Sequence, residues 1–550
     1  VNDPSQLLQG KVAGLNITRP GSDPNQSFGV RLRGLSSLGA NAGPLIIIDG
    51  IIGGSLNSVD PTDIESINVL KDAAAGAIYG TRGSSGVIII TTKSGTGQAK
   101  AQLEYNAYAA VDGLTNVIPV ANREQFLANG GLDLGSDTDW LSETTRNAIT
   151  TVHNIAFTNS FGAGSSYRAS VNYRDIQGVT RGTGREQLNG RINVTQRLME
   201  DKLKLTAIVS ATETKADIGF PQAPRYALTF NPTAPIFENR SAEELGRPVD
   251  QFGGYFETGV QDIYNPVAMV DLIQRQRDIR VFLMNFKADY EIIGGLTSSF
   301  NFSRQSTTQL EGEFFPSTSL LSGAGVNGRA SRSTEDTGFT LAEFTTTYNK
   351  AISDDLTLNL LGGYSYQQTD FQRLGGSNTE FITNNVGFDN LGIGLGINNQ
   401  QATIFSSREQ DKLSAVFGRL NLNYKNAAFL STSIRSEQSS RFGANNRTGN
   451  FWAVSGGVNL DQVFDMPSVD QLKFRASYGI TGNPPPSRYD YLQRLGTVGQ
   501  GFVNGQFVTA IGPVSNPNPD LKWEEKAEFN IGLDFALFNS RVSGSVDYYI

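Results

Sequence analysis

Cysteine is absent from this sequence, so neither a disulfide frame nor a thiolate metal site is available to it. Histidine occurs once, at position 153, with no Ser or Cys nucleophile elbow beside it, and His153 reads as a plain strand residue rather than a general base. A basic stripe is also lacking: the net charge is −8 and the pI about 5.1, which argues against a nucleic-acid partner that would need cations to replace counterions. Long apolar runs are missing too. The longest, Leu45 to Ile48 with Ile51 and Ile52, is broken by Asp49 and Gly50, far short of the roughly 20 residues of a membrane helix. That leaves a closed β-barrel open as a way across a bilayer, because it satisfies its backbone with only about 10 alternating residues per strand. Val1 follows no Met, basic n-region or apolar leader, and Ile550 falls inside an alternating pattern, so the chain is expected to be a segment of a longer one.

What is abundant is glycine (60), phenylalanine (32) and tyrosine (18) in a chain that is 38% hydrophobic and 18% charged, a mixture suited to turn-rich, aromatic-rich β-structure with a sizeable core. After about residue 100 the sequence alternates. Leu203, Leu205, Ala207 and Val209 share a face opposite Lys202, Lys204, Thr206 and Ser210, with Ile208 the apolar exception. Phe282, Met284, Phe286, Ala288 and Tyr290 oppose Asn285, Lys287 and Asp289. The same holds for Leu356, Leu358, Leu360, Tyr364 and Tyr366, for Val416, Leu420, Leu422 and Tyr424, and for Phe529, Ile531, Leu533, Phe535 and Leu537. About 15 such windows of about 10 to 14 residues, many ending in Tyr or Phe, match membrane-barrel strands better than the shorter strands of soluble sheets. Leu358, Phe286, Leu422 and Ile531 are accordingly expected on a lipid-facing band about 25 Å tall. Connections fall into two lengths: turns at Ile293-Gly294-Gly295, Asp354-Asp355 and Asn426, and long stretches at about Ala216–Arg277, Ser306–Gly338, Phe371–Gln410 and Thr481–Glu525.

The first hundred residues differ in kind. Asp60-Pro61 is a helix-start signal, KDAAAGAIY (Lys71–Tyr79) a short helix stopped by Gly80, and Val30–Arg33, Leu45–Ile48 and Val87–Lys93 are short strands, the last two too apolar to face water on both sides. Asp49-Gly50 reads as a turn. This region is predicted to be a small α/β domain at 1–98, followed by a partial barrel at 99–550.

The motifs VRLRG (Val30–Gly34), PLIIIDG (Pro44–Gly50) and DPTDIESINVLKDAAAGAIYGTRGSSGVIIITTKSG (Asp60–Gly95), with LQGKVAGLNI (Leu8–Ile17) before them, resemble the plug of TonB-dependent outer-membrane transporters of the SusC/RagA type. SSRFGANNR (Ser439–Arg447), LKFRASYGITGN (Leu472–Asn483) and NPDLKWEEKAEFNIGLDFALFNSRVSGSVDYY (Asn518–Tyr549) resemble barrel segments of the same subfamily. The resemblance implies a mostly β fold: an incomplete transmembrane antiparallel barrel, of a type with roughly 22 strands when whole, with the plug in its lumen. It implies an outer-membrane importer rather than an enzyme, with no cofactor and no metal. The implied partners are a TonB complex acting through a segment upstream of Val1, a SusD-like lipoprotein as lid, outer-membrane lipid, and an oligosaccharide or peptide cargo. A siderophore or cobalamin receptor, or a glycan-binding protein that does not transport, are the alternatives. A glycan hydrolase would need a paired-carboxylate cleft that no pattern among the acids singles out.

By the same resemblance, Ser22–Ser27, Leu35–Gly43 and Ile51–Asn57 are expected as apical plug loops. Their Asn25, Gln26, Ser36, Ser37, Asn41, Ser55 and Asn57 are the candidate cargo-binding residues, offering neutral donors and acceptors. Other local signals have plainer readings. Asp133, Asp137 and Asp139 lack the Gly and Glu positions of a calcium loop and read as a solvated acidic loop. Gly392, Gly394 and Gly396 read as a flexible loop, not a phosphate cradle, and the sequons at Asn16 and Asn25 match a pattern common by chance.

Overall fold

The computed structural model describes the chain except residues 1–2, 20, 22, 35–36, 38–42, 55, 73–76, 96–99, 162–163 and 465, and the side chains of 57, 77 and 78. Its N-terminal part carries six short strands: β1 (Leu15–Thr18), β2 (Gly29–Leu32), β3 (Leu45–Ile48), β4 (Ile51–Ile52), β5 (Ile64–Leu70) and β6 (Val87–Thr92). β1 and β2 form a hairpin pair, and the others form a sheet in the order β4-β3-β6-β5, with β3 and β6 parallel at its centre. Asp49 and Gly50 both take positive φ, 50° and 84°, which is the two-residue turn that lets β3 fold straight back into β4. Asp60 caps a single turn at Pro61–Asp63 by accepting from the Thr62 amide at 2.7 Å. The expected helix at Lys71–Tyr79 falls partly outside the described residues. Of the rest, Lys71 and Asp72 are not helical, and a 3-10 segment runs from Ala77 to Gly83 through Gly80, whose φ of +69° bends it where a stop was expected.

The central strands are buried on both faces, as their unbroken apolar sequence demands. Ile48, Ile88 and Ile90 pack against Leu8, Ile17 and Val59 of this domain. Ile47, Ile52 and Val87 point the other way and close on Leu341, which belongs to the second part of the chain. The small domain therefore completes its core only by docking.

That second part is one antiparallel sheet of 15 strands joined in meander order. They are β7 (Gln102–Asp112), β8 (Ala148–Phe161), β9 (Ser165–Gln177), β10 (Gly184–Leu198), β11 (Leu203–Asp217), β12 (Gln274–Ile293), β13 (Leu296–Phe315) and β14 (Arg329–Ser353). There follow β15 (Leu356–Thr379), β16 (Thr403–Tyr424), β17 (Ala428–Ser439), β18 (Thr448–Asn459), β19 (Val469–Asn483), β22 (Glu524–Leu537) and β23 (Val542–Tyr549); a separate hairpin, β20 (Leu495–Val503) and β21 (Gln506–Pro513), lies between β19 and β22. β7 and β23 are the edges of this open wall.

Its polarity is inverted relative to a soluble sheet. On β8, Thr150, Asn154 and Thr158 are buried while Ile149, Ile155 and Phe157 are exposed; Asn154 is 1% and Ile155 51% accessible. β10 repeats the pattern, with Asn189, Arg191 and Asn193 inside and Leu188, Ile192 and Val194 outside. A chain gains nothing from showing isoleucine to water and hiding asparagine, so the outer surface is built for hydrocarbon. Of the four residues expected on that band, Phe286 is 42% exposed, and Leu358, Leu422 and Ile531 are half-exposed beside exposed Leu360, Leu430, Phe529 and Leu533.

Short turns and long connections alternate along the meander, but two of the expected long loops are shortened by strand at both ends. β13 continues to Phe315 and β14 starts at Arg329, and β15 reaches Thr379 before β16 opens at Thr403. β14 alone has 25 residues, more than twice the 9 to 11 or so needed to cross a bilayer. Beyond the bilayer both faces of a strand meet water, so the alternation lapses while the backbone ladder runs on, as in Ser306–Phe315 paired with Phe282–Gln274 and with Gly338–Arg329. The connection 113–147, not anticipated from the sequence, is also long; with residues 218–273 it forms a cap with its own core of Trp140, Phe230, Ala234, Tyr255, Phe256 and Val267.

Candidate functional site

The plug meets the wall along three sectors, and its chemistry differs in each. On β9 and β10 the buried phase includes arginines aimed inward. Arg168 Nη2 donates to Asp63 at 3.0 Å, Ser170 donates to the same carboxylate at 2.8 Å, Arg174 Nε donates to Asp60 at 2.8 Å, and Arg191 pairs with Asp49. All three ion pairs are almost fully shielded from solvent. Asp49 also closes the plug's own turn, accepting from the Thr92 amide at 2.7 Å and its hydroxyl at 2.8 Å.

On β17, β19 and β22 a second polar network grips the other side. Arg33 donates to Glu528 at 2.6 Å and to Asn530 at 3.2 Å, with its guanidinium 4.5 Å above the Tyr549 ring. Thr81 donates to Glu437 at 2.7 Å; Glu437 is held in turn by Arg435 at 2.6 Å, and Ser84 bonds Asn483. Gly80 is required here, since its φ is positive and a Cβ there would collide with the Glu437 carboxylate. The third sector, β14, is apolar: Leu341, fully buried, packs on Ile47, Ile52 and Val87, with Phe339 at its flank. Below it, toward the short turns, plug and wall part around a cavity of about 690 Å³.

The candidate cargo residues divide unevenly. Asn25 sits at the long-connection end of the wall, donating to the Gly184 and Asp217 carbonyls at 3.0 and 2.9 Å, and Ser37 donates to Glu524 at 2.6 Å. Both therefore already tie the plug to the wall. Gln26 is exposed. Ser36, Asn41 and Ser55 lie outside the described residues, as does the side chain of Asn57, whose backbone forms the turn Leu56–Ser58. The structure brings together the apical segment 23–27 and the rims of β10 and β11. Arg168, Arg174 and Arg191 escaped the sequence reading, although a charge at the inward phase of a strand was a visible signal for them.

The remaining local features have structural jobs. His153 lies on the outer face, its Nδ1 2.8 Å from the Tyr105 hydroxyl. Asp133 pairs with Arg123 at 2.8 Å, and Asp139 caps the helix Trp140–Thr144 through the Ser142 amide. The glycines at 392, 394 and 396 were read as a flexible loop; they form two 3-10 turns, with Asn378 donating to the Leu391 and Gly394 carbonyls. Gly394 and Gly396 leave no room for a Cβ against Asn378 and Thr379, so the segment is packed down.

An inside-out wall filled by a hydrogen-bonded stopper defines a plugged outer-membrane barrel. The comparisons agree: residues 1–87 match the TonB-dependent Receptor Plug Domain and residues 79–550 the TonB dependent receptor-like beta-barrel, and the chain belongs to the TonB-dependent receptor family, in its SusC/RagA-like branch. It is 32% identical to TonB-dependent receptor P3 of Formosa agariphila over 99% of this chain and 54% of that protein. It is 28% identical to TonB-dependent receptor SusC of Bacteroides thetaiotaomicron, over 99% of this chain and 56% of that one. The chain thus spans about half the length of these curated relatives. The fold superposes on the RagAB peptide transporter with a TM-score of 0.84 at 24% identity, covering 98% of this chain and 64% of that one. The siderophore receptor PirA of Acinetobacter baumannii gives 0.58 at 13%, covering 100% and 68%. The protein is located in the outer membrane.

Proposed function

We propose that this chain is the plug and part of the barrel of an importer that moves oligosaccharides into the periplasm. TonB drives it through a segment preceding these residues, and a SusD-like lipoprotein serves as lid. The observation that carries the reading is the stopper itself: a domain seated in a polar lumen by ion pairs, hydrogen bonds and an apolar contact is arranged to be shifted and reseated, which a passive pore does not need. Neutral apical groups, among them Gln26, Ser36, Asn41, Ser55 and Asn57, suit hydroxyl-rich cargo bound without charge preference. The TonB-dependent receptor SusC, at 28% identity, supports the TonB-dependent part of this reading. Peptide is the second reading, favoured by the likeness to the RagAB peptide transporter.

The test is growth of a deletion strain complemented with the full-length gene on defined oligosaccharides, on oligopeptides, and under iron limitation. Rescue on oligosaccharide supports the proposal, and rescue on peptide moves it to the second reading. Rescue only under iron limitation replaces it with a siderophore receptor. Substituting Asn41 and Asn57 together with Ala is expected to weaken cargo binding in a direct titration with barrel assembly intact.

A further inference from the structure

We infer that cargo passes the plug along one sector of the wall, slipping between the plug sheet and β14 where Leu341 forms the seal, and entering the cavity beneath it. This rests on the import reading above. Descending β14 toward the short turns, the lumen-facing residues are Phe339 and Leu341, packed on the plug, and then Glu343, Thr345 and Thr347, which line the cavity. Seal and cavity are thus consecutive on one strand.

The sectors differ in what a gap one cargo wide leaves behind. At β9–β10 it parts Arg168 from Asp63 and Arg174 from Asp60 while protein still excludes most water, the arrangement in which a buried charge is least tolerated. At Glu528 the same gap takes away Arg33 and leaves Lys526, and at Glu437 it breaks the buried bond from Thr81 while Arg435 stays in place. At Leu341 the side chains that part are hydrophobic, and no ion pair joins the plug to β14 among the described residues. The polar latches on either side then act as the hinge, and the apolar contact as the opening edge.

The cavity is polar, and part of its lining suits a hydrogen-bonding chain. Lys287 is paired with Asp289 at 2.9 Å, Ser299 donates to Asp289 at 2.5 Å, and Asn285 donates to Asn301 at 2.6 Å. Amide and hydroxyl groups thus face part of the space, beside Glu65, Arg82, Lys204, Glu343 and Arg419, which bring both signs of charge to its lining. Its volume of about 690 Å³ lies inside the range of small-molecule sites, roughly 300–1,000 Å³, enough for a short run of sugar rings or peptide units.

The absence of cysteine from these 550 residues makes the route testable by labelling. Full-length receptor carrying Leu341→Cys or Thr345→Cys is compared with Ser170→Cys and Asn483→Cys at the latches. Energised cells are treated from outside with a membrane-impermeant maleimide, alone, with an oligosaccharide mixture, or with an oligopeptide mixture, while uptake is followed. If the passage opens from a minor state of about 1–10%, labelling at 341 and 345 rises about tenfold with the cargo that is taken up, and at 170 and 483 it changes less than about twofold. Thr345→Cys, half-exposed in the cavity wall, reports the route even where Leu341→Cys disturbs seating. The arm that raises labelling identifies the cargo class. Uptake with labelling at the latches, or with no rise at 341 and 345, overturns the route and leaves import standing. Failure to take up either cargo overturns the import reading and the route with it.

Discussion

Replacing Arg174 by Leu removes one partner of an ion pair whose side chains are 3% and 1% accessible, and leaves the Asp60 carboxylate in the closed interface without its cation. Asp60 keeps its bonds from the Thr62 amide and hydroxyl, but two neutral donors do not replace a guanidinium. Breaking a buried pair from one side costs about 3–5 kcal/mol, because the stranded charge is fully desolvated. The cost falls on the closed state alone, since in the open state water reaches Asp60. Amides of β3 and β6 that exchange by plug release therefore lose about 150- to 5,000-fold of protection, measured by hydrogen–deuterium exchange of peptides spanning 44–52 and 87–92 in full-length protein. Adding Asp60→Asn removes the stranded charge while keeping an acceptor for Thr62, and this double variant recovers to within about 1–2 kcal/mol of the parent. Unchanged protection in Arg174→Leu, or a double variant as labile as the single, refutes the claim that charge burial holds this sector.

Gly80→Ala adds a Cβ at φ +69° against Glu437 and costs about 1–3 kcal/mol in seating, seen as a raised basal conductance in planar bilayers. Val416→Arg, on the outer face at 63% exposure, costs about 2–4 kcal/mol of barrel stability in lipid, whereas in a water-facing sheet it is close to neutral. Equal refolding midpoints in vesicles for parent and Val416→Arg refute the lipid-face assignment. In the cap formed by the long connections, burial pushes the Glu257 carboxyl up to about 7, opposed by the Asn265 amide and Arg247. A raised acid pKa means the folded cap binds the proton more tightly than the unfolded chain, so its stability is full below about 4.5, falls as pH rises through about 7, and is constant above. The loss is about 3 kcal/mol. Protease resistance of residues 218–273 drops between pH 5 and pH 8, and Glu257→Gln abolishes the drop.

Much of this was readable from residues because a membrane barrel writes its phase into the sequence. Phe282 to Tyr290 and Phe529 to Leu537 alternate, since each strand lies between lipid and a polar lumen, and their exposed phase is the apolar one. Legibility failed where that boundary ends. The outer parts of β13 to β16 have water on both sides, so their side chains carry no period, and strand looked like loop. It failed again at 391–397, where the glycines are chosen for close packing under Asn378 and Thr379, a reason that depends on residues brought near only by folding. In the plug, PLIIIDG and VIIITTK announced two-sided burial, but not that the cover on one side includes Leu341, about 250 to 290 residues downstream. The candidate cargo residues were chosen for neutral polarity, and polarity alone does not separate Gln26, which is exposed, from Asn25, which is spent on the Gly184 and Asp217 carbonyls.

The three arginine–aspartate pairs are better understood as setting position than as adding stability. Moving both partners of a buried pair into water returns to each the hydration it gave up, so complete displacement of the plug recovers most of what the pair contributes. Apolar contact is non-directional: Ile47, Ile52 and Val87 would lie almost as well against Leu341 after a small slide. The pairs remove that freedom. Arg168 and Arg174 stand on one strand and Arg191 on the next, at different heights, and they meet Asp63, Asp60 and Asp49, each itself fixed by a turn or cap of the plug. Only one seating satisfies all three, and any other buries at least one unpaired charge. A stopper that must leave its seat and return to it needs this combination: an apolar edge that parts without breaking an ion pair, and a charged edge that accepts a single fit.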